Sequence, residues 1–204
     1  MTIKEFYDFL MSIFGKFFVA LKSNPATAFK AALEMVAGVN LNARIKHHFK
    51  IECVRNGKVV WTEEFDNMVV TAGAAKYLDA TLKTGLAAPL WYVGLKDTGT
   101  PVIADTMASH ASWAELTVYS NANRPTWTPG SITGTSTVSV DNSASKAVFN
   151  INADDSVYGA FFADNNTKGG STGTLLGVGD FAVPRAVLIG DTLNITVTAS
   201  LTAS

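Results

Sequence analysis

The chain has 204 residues with a formal net charge of −1, and 48% of its residues are hydrophobic. This length suits one large domain, or one domain with an appendage, and the apolar content is sufficient for a substantial core. The near-neutral charge excludes a general attraction to nucleic acid or anionic membranes, and the single cysteine, Cys53, excludes an intramolecular disulfide and a cysteine-based zinc site.

The character of the sequence changes near residue 85. Before this point it is mildly basic and rich in helix-forming residues, and after it the chain is rich in Thr, Ser, Asn, Gly and Ala with few charges. Short apolar runs separated by turn-forming residues are typical of strands. We therefore predict a helical N-terminal arm over residues 1–42 and a β-sandwich body over residues 43–204, with one inserted helix near 74–83.

The first predicted element is an amphipathic helix over residues 3–22. Its apolar positions follow the i, i+3, i+4, i+7 spacing of a single helix face. This surface, which we call the apolar stripe, would be unstable in water and must dock on the body, on another copy or on a partner. The stripe, our candidate partner-binding site, consists of Phe6, Phe9, Leu10, Ile13, Phe14, Phe17, Phe18 and Leu21.

A second helix is predicted from Pro25 to about Val36, because Asn24 is a suitable N-cap and Gly38 a suitable C-terminal cap. Asp8 and Lys16 interrupt the most apolar part of the arm, so we expect no membrane span. We also expect no export signal and synthesis in the cytosol.

Strand periodicity begins near residue 44. Residues 47–55 and 58–65 flank Asn56-Gly57, the strongest short signal for a β-hairpin. A short strand over 68–70 follows, and Thr71 is the predicted cap of a helix over 74–82. The apolar face of that helix is predicted to be Ala74, Tyr77, Leu78, Thr81 and Leu82.

Seven more strands are predicted after Gly85, and the spacing of such strands is typical of a sandwich or barrel. The predicted fold class is therefore mainly β, an antiparallel sandwich or barrel of jelly-roll or immunoglobulin-like type with an N-terminal helical arm. Residues 101–111 are predicted to be irregular, with one helical turn near Asp105. The strands are predicted over 90–95, 115–120, 135–140, 146–152, 157–163, 175–181 and 192–201.

No catalytic motif fits its required context. Residues 169–173 match the G-x-S-x-G pattern around Ser171, but a polar loop precedes them and a strand follows, which favours a loop tip. His47 and His48 would point to opposite faces of a strand and cannot share a metal. For His110 we favour a loop histidine bonded to the backbone over an acid–base pair with Glu115.

Metal and sugar sites also have simpler interpretations. Residues 154–155 and 164–166 form an Asp- and Asn-rich set, but they lack calcium-loop spacing and suit solvated turns. Five aromatic residues could form a sugar platform, although core or interface positions are more common for them: Trp91, Tyr92, Trp113, Tyr119 and Trp127. We therefore predict no enzyme activity, no catalytic residue, no metal and no cofactor.

Several motifs in residues 67–193 carry a resemblance to a known family. They include Asn67-Met68-Val69-Val70-Thr71-Ala72-Gly73, Trp91-Tyr92-Val93-Gly94-Leu95, Ala104-Asp105-Thr106-Met107-Ala108-Ser109-His110, Arg124-Pro125-Thr126-Trp127, Val157-Tyr158-Gly159-Ala160-Phe161 and Gly190-Asp191-Thr192-Leu193. With these motifs the chain resembles small structural proteins of tailed bacteriophages, which we place as head decoration, or cement, proteins. The resemblance covers about two-thirds of the chain and leaves the first 40 residues unmatched.

The resemblance implies a non-enzymatic virion protein that docks on the major capsid protein and stabilises the head. The expected partners are the major capsid protein or another virion protein, and further copies of the chain in a homo-oligomer, with neither nucleic acid nor membrane. The expected location is the capsid surface, after synthesis in the host cytoplasm. The alternative is a tail- or neck-associated adhesin or carbohydrate-binding module. A third hypothesis is a hydrolase that uses His110 together with Glu115, or Ser171.

Overall fold

The computed structural model describes residues 45–83 and 89–202, so the predicted arm and all eight residues of the apolar stripe lie outside the described residues. The described part is mainly β, as predicted, and contains one helix, α1 (Thr71–Leu82). Its strands are β1 (Ile45–Arg55), β2 (Lys58–Asp66), β3 (Met68–Val69), β4 (Tyr92–Gly99), β5 (Trp113–Leu116), β6 (Thr137–Asp141), β7 (Ala147–Asn150), β8 (Asp155–Ala163), β9 (Leu175–Val187) and β10 (Thr192–Thr202).

The predicted hairpin is confirmed. Asn56 and Gly57 connect β1 to β2 with φ angles of 50° and 76°. Both residues therefore occupy the left-handed region that a tight hairpin turn requires, and Asn and Gly reach this region more easily than other residues.

The first sheet has the order β2-β1-β10-β6, and β7 also pairs with β10. Strands β1 and β10 run antiparallel from Ile45 opposite Leu201 to Val54 opposite Thr192. The predicted alternation along β10 is present at Leu193, which is buried along with the next two alternate residues, whereas Leu201 at the end of the strand is 44% exposed. The inward face of this sheet is thus covered only over part of its length.

The second sheet has the order β3-β9-β8-β4-β5. Its central strands are buried on both faces, which explains their continuous apolar sequence. In β8, Phe162 faces the main core, while Phe161 and Ala163 belong to a second apolar cluster on the other side. Two separate sheets that share a core make a sandwich rather than a barrel.

The main core lies between the two sheets. Phe49 and Ile51 of the first sheet pack in one cluster with Val93 and Phe162 of the second. Trp127, from the long connection between β5 and β6, enters the same cluster and donates its indole N–H to the carbonyl oxygen of Val197 at 3.0 Å. A loop residue therefore closes part of the core.

Helix α1 begins three residues earlier than predicted, and the predicted cap is wrong. Val70 is the N-cap and makes no side-chain capping bond, while the Thr71 hydroxyl donates to the carbonyl oxygen of Ile103 at 3.3 Å. The helix lies close to β9 at Gly73, where a Cβ atom would be 2.1 Å from the carbonyl oxygen of Leu176. Only glycine permits this approach of helix and sheet.

All seven strands predicted after Gly85 have a counterpart, although their bounds differ. Strand β5 begins at Trp113 rather than residue 115, because this residue fills the second cluster. Strand β9 continues to Val187 past Pro184, and its pairing with β8 skips from Asp180 to Arg185. The intervening residues bulge out, which is a position that tolerates proline.

The connection over 101–112 contains turns and bends, so the predicted irregularity is confirmed and the predicted helical turn near Asp105 is wrong. Asp105 accepts hydrogen bonds from the Val102 backbone N–H at 2.8 Å and from the Trp113 indole at 2.9 Å. Its carboxylate thus holds a turn closed.

Candidate functional site

A cavity of about 450 Å³ lies at one end of the second sheet, beside β5. It is bordered by the connection before β5, by Phe161 of β8 and by the loop between β8 and β9. The three residues named in the hydrolase hypothesis, His110, Glu115 and Ser171, all line it. We call this space the His110 cavity.

Glu115 is committed to a buried ion pair. Its two oxygens accept hydrogen bonds from Arg124 Nε at 3.0 Å and from Arg124 Nη2 at 2.7 Å. The carboxylate also accepts from the Tyr119 hydroxyl and from the Gly169 backbone N–H. Four donors saturate the carboxylate, which therefore acts as a structural anchor and has no acid–base pairing with His110.

Arg124 is fully buried, although arginine almost never is. Besides the pair with Glu115, it donates to the carbonyl oxygens of Asn165 and Gly170 at 2.9 and 2.7 Å, and its guanidinium lies 5.1 Å from the centroid of the Phe161 ring. These bonds join the β5–β6 connection to the β8–β9 loop. This central role was not predicted from the sequence, where the only signal was the position of Arg124 in the Arg124-Pro125-Thr126-Trp127 motif.

The prediction for His110 is confirmed. Its Nδ1 lies 3.0 Å from the carbonyl oxygen of Trp113, and its ring stacks on the Trp113 indole at a centroid distance of 4.2 Å. The prediction of a loop around Ser171 is also confirmed, because Gly169 and Gly173 have φ angles of 71° and 91° and no helix follows. The strained strand-to-helix turn of a hydrolase nucleophile does not occur there.

His47 lies in a buried polar cluster beneath α1, while its neighbour His48 faces solvent, as the strand geometry predicts. His47 Nδ1 donates to Asn67 Oδ1 at 3.0 Å, and Nε2 accepts from the Tyr77 hydroxyl at 2.5 Å. Burial lowers the pKa of His47 to about 4 and raises the pKa of Tyr77 to about 12. The cluster is thus neutral near pH 7 and ties α1 to β1.

Cys53 is a buried residue of β1, as predicted, and its thiol lies 3.5 Å from Asp191. Burial, assisted by the charge of Asp191, raises the pKa of the Cys53 thiol to about 12. Arg55 pairs with Asp191 through two hydrogen bonds of 2.7 Å and thereby lowers the pKa of that carboxyl. The thiol is consequently a packing residue with little thiolate at neutral pH.

The prediction of solvated turn residues for the Asp- and Asn-rich set is confirmed only in part, because Asp155 begins β8 and the Asp164 side chain is 11% exposed and pairs with Lys76. Asp154 accepts from the Ile189 backbone N–H, Asp155 from Ser156, and Asp164 from Thr174. Within residues 45–83 and 89–202, no group of three or more His, Cys, Asp or Glu side chains is placed to hold a metal ion.

The aromatic residues proposed as a sugar platform are mostly in the core. Trp113, Tyr119 and Trp127 are buried, while Trp91 and Tyr92 are half-buried. This confirms the core interpretation and leaves no platform built from Trp113 and Trp127.

A second candidate surface is an almost wholly apolar groove of about 450 Å³, which we call the α1 groove. Leu78 of α1 is 60% exposed along one wall, and Ile132, 73% exposed, lies on another. Ile45, the first residue of β1, and Leu201, near the end of β10, also line the groove. The predicted apolar face of α1 is therefore wrong: of its five residues only Tyr77 is half-buried and the other four are exposed, because the helix packs on the body through Ala72 and Gly73 instead.

No helix among the described residues is long and apolar enough to cross a membrane. A comparison of the chain with protein-family models, with curated proteins and with solved structures finds no significant match in any of the three.

Proposed function

We propose that the protein is a non-enzymatic structural component of a tailed-phage virion, a decoration or cement protein on the capsid surface. The resemblance noted in the sequence motivates this assignment. The observation that carries it is the apolar stripe, because eight large apolar side chains on one predicted helix face require a protein surface to cover them.

The structure of the body is consistent with a passive structural role. Strands β8 and β9 of the second sheet are each buried on both faces over part of their length, and the loops beside β5 are joined by the Arg124–Glu115 pair. Glu115 is engaged in internal bonds, and His110 Nδ1 lies within bonding distance of the Trp113 carbonyl oxygen. A rigid body that presents an apolar groove suits permanent incorporation into a larger assembly.

The test is binding to capsids assembled from the major capsid protein of the same phage, measured by co-sedimentation. Phe14→Glu places a charge on the stripe, and we expect it to reduce the affinity at least tenfold. Ser12→Glu places the same charge on the polar side of the predicted helix and should leave the affinity within about twofold. Full occupancy by a chain that lacks residues 1–22 would refute the role of the arm.

The alternative proposal, a tail- or neck-associated adhesin or carbohydrate-binding module, would place the sugar in the His110 cavity. The His110 cavity is open and bordered by polar loop residues, whereas Trp113 lies beneath it in the second cluster. Glycan binding that is lost in Ser171→Trp, with capsid binding absent, would favour this alternative over decoration.

A further inference from the structure

We infer that the α1 groove is an acceptor site for the apolar stripe of a second copy of this chain. The inference rests on the proposed function and names one partner within it. The stripe is an apolar helix face, predicted from the sequence, that needs a protein surface to cover it. The α1 groove is an apolar surface that none of the described residues covers.

The groove has the character of a helix-binding site. Its lining is almost wholly apolar, and its most exposed large hydrophobic residues are Ile132 and Leu78, at 73% and 60%. An amphipathic helix that binds in a groove inserts side chains at i, i+3, i+4 and i+7. In the centre of the stripe Leu10, Ile13, Phe14 and Phe17 have this spacing.

The helix that forms one wall is itself unusual. The structure anchors α1 through Gly73, which lies against the Leu176 carbonyl, and through Tyr77, which bonds to His47. The next apolar positions, Leu78 and Leu82, remain 60% and 77% exposed. A surface helix normally buries its apolar side, so this arrangement implies a further layer over α1.

The position of the groove fits an arm that leaves one copy and enters another. Ile45, the first described residue, lies on the groove rim, and the stripe ends at Leu21. Residues 22–44 contain the helix predicted over 25–36 and therefore span at most roughly 55 Å, which is enough to reach a neighbouring body. On a particle surface neighbouring copies are held at high local concentration, and exchange of an identical element between copies then has a low cost.

The experiment is disulfide trapping between two full-length chains that carry different mass tags. One chain carries Ile13→Cys and the other Thr81→Cys, a substitution on the groove wall. The native thiol of Cys53 is buried and contributes little background. In the matched control the second chain carries Ile189→Cys, whose side chain is 70% exposed and does not line the groove.

We expect the mixed disulfide of the first pair to exceed that of the control at least tenfold, and we expect Leu78→Glu to abolish the excess. Equal yields in both pairs would overturn the inference. It would also be overturned if a doubly substituted chain, Ile13→Cys with Thr81→Cys, formed only an internal disulfide and ran as a monomer.

Capsid binding by the same tagged chains separates the two proposals. Cross-linking between copies without capsid binding would refute decoration and keep the groove as a self-association site. Capsid binding without excess cross-linking would refute the groove inference and keep decoration.

Discussion

Removal of the buried cation at the centre of the loop network should destabilise the fold strongly. Arg124 is fully buried and Glu115 is 7% exposed, so Arg124→Met leaves a carboxylate buried without its cation. Breaking a buried ion pair in this way costs about 3–5 kcal/mol of unfolding free energy. For a chain of this length that loss corresponds to a melting temperature lower by roughly 6–20 °C.

The measurement is urea unfolding followed by tryptophan fluorescence, since Trp113 and Trp127 are buried. The control is Lys146→Met, because Lys146 pairs with Glu52 at 2.6 Å on the surface and its side chain is 36% exposed. Exposed pairs contribute about 0–1 kcal/mol, so this variant should lose little stability.

A double variant tests the cause of the loss. When Glu115→Gln is added to Arg124→Met, the buried charge disappears, and part of the lost stability should return because the pair is coupled. The reasoning is wrong if Arg124→Met costs no more than Lys146→Met, or if the two substitutions at the pair are simply additive.

Two further predictions concern α1 and its polar anchor. Gly73→Ala should lower the unfolding free energy by about 1–3 kcal/mol, because the new Cβ would meet the Leu176 carbonyl. Alanine usually stabilises a helix relative to glycine, so a stability gain in thermal melts would contradict the close approach of helix and sheet. His47 has a folded-state pKa of about 4 against an ordinary value of 6.5, so the unfolded chain binds the proton more tightly. The unfolding free energy should therefore fall by about 3 kcal/mol as the pH drops from 6.5 to 4. In urea titrations at several pH values, His47→Gln should make the unfolding free energy less dependent on pH over this range. An unchanged pH dependence in the variant would contradict a neutral, buried His47.

Local patterns in the sequence were sufficient to predict the strands. Asn56-Gly57 marks the hairpin because few other residue pairs reach two successive positive φ angles. The alternation of apolar and polar residues in β10 indicates a strand buried on one face. The continuous apolar run of β8 indicates a strand buried on both faces. These features depend only on residues that are close in the sequence, so they could be identified without the structure.

The pairing of Arg124 with Glu115 could not be predicted in the same way. An arginine in a polar, proline-containing segment usually indicates a solvent-exposed loop, and only the fold shows that Asn165 and Gly170 supply its remaining acceptors. The prediction of Thr71 as a helix cap was wrong for a similar reason, because its hydroxyl donates to the carbonyl oxygen of Ile103, which lies in a turn distant in the sequence. Long-range polar contacts of this kind carry no periodic signal.

The pairing of Ile45 with Leu201 brings the start of β1 and the end of β10 next to each other. A protein or peptide fused after β10 would therefore emerge at the rim of the α1 groove, next to the point where β1 begins. A long linker would leave the groove accessible. A short rigid linker would instead obstruct the groove, so the choice of tag position is itself a means of controlling assembly.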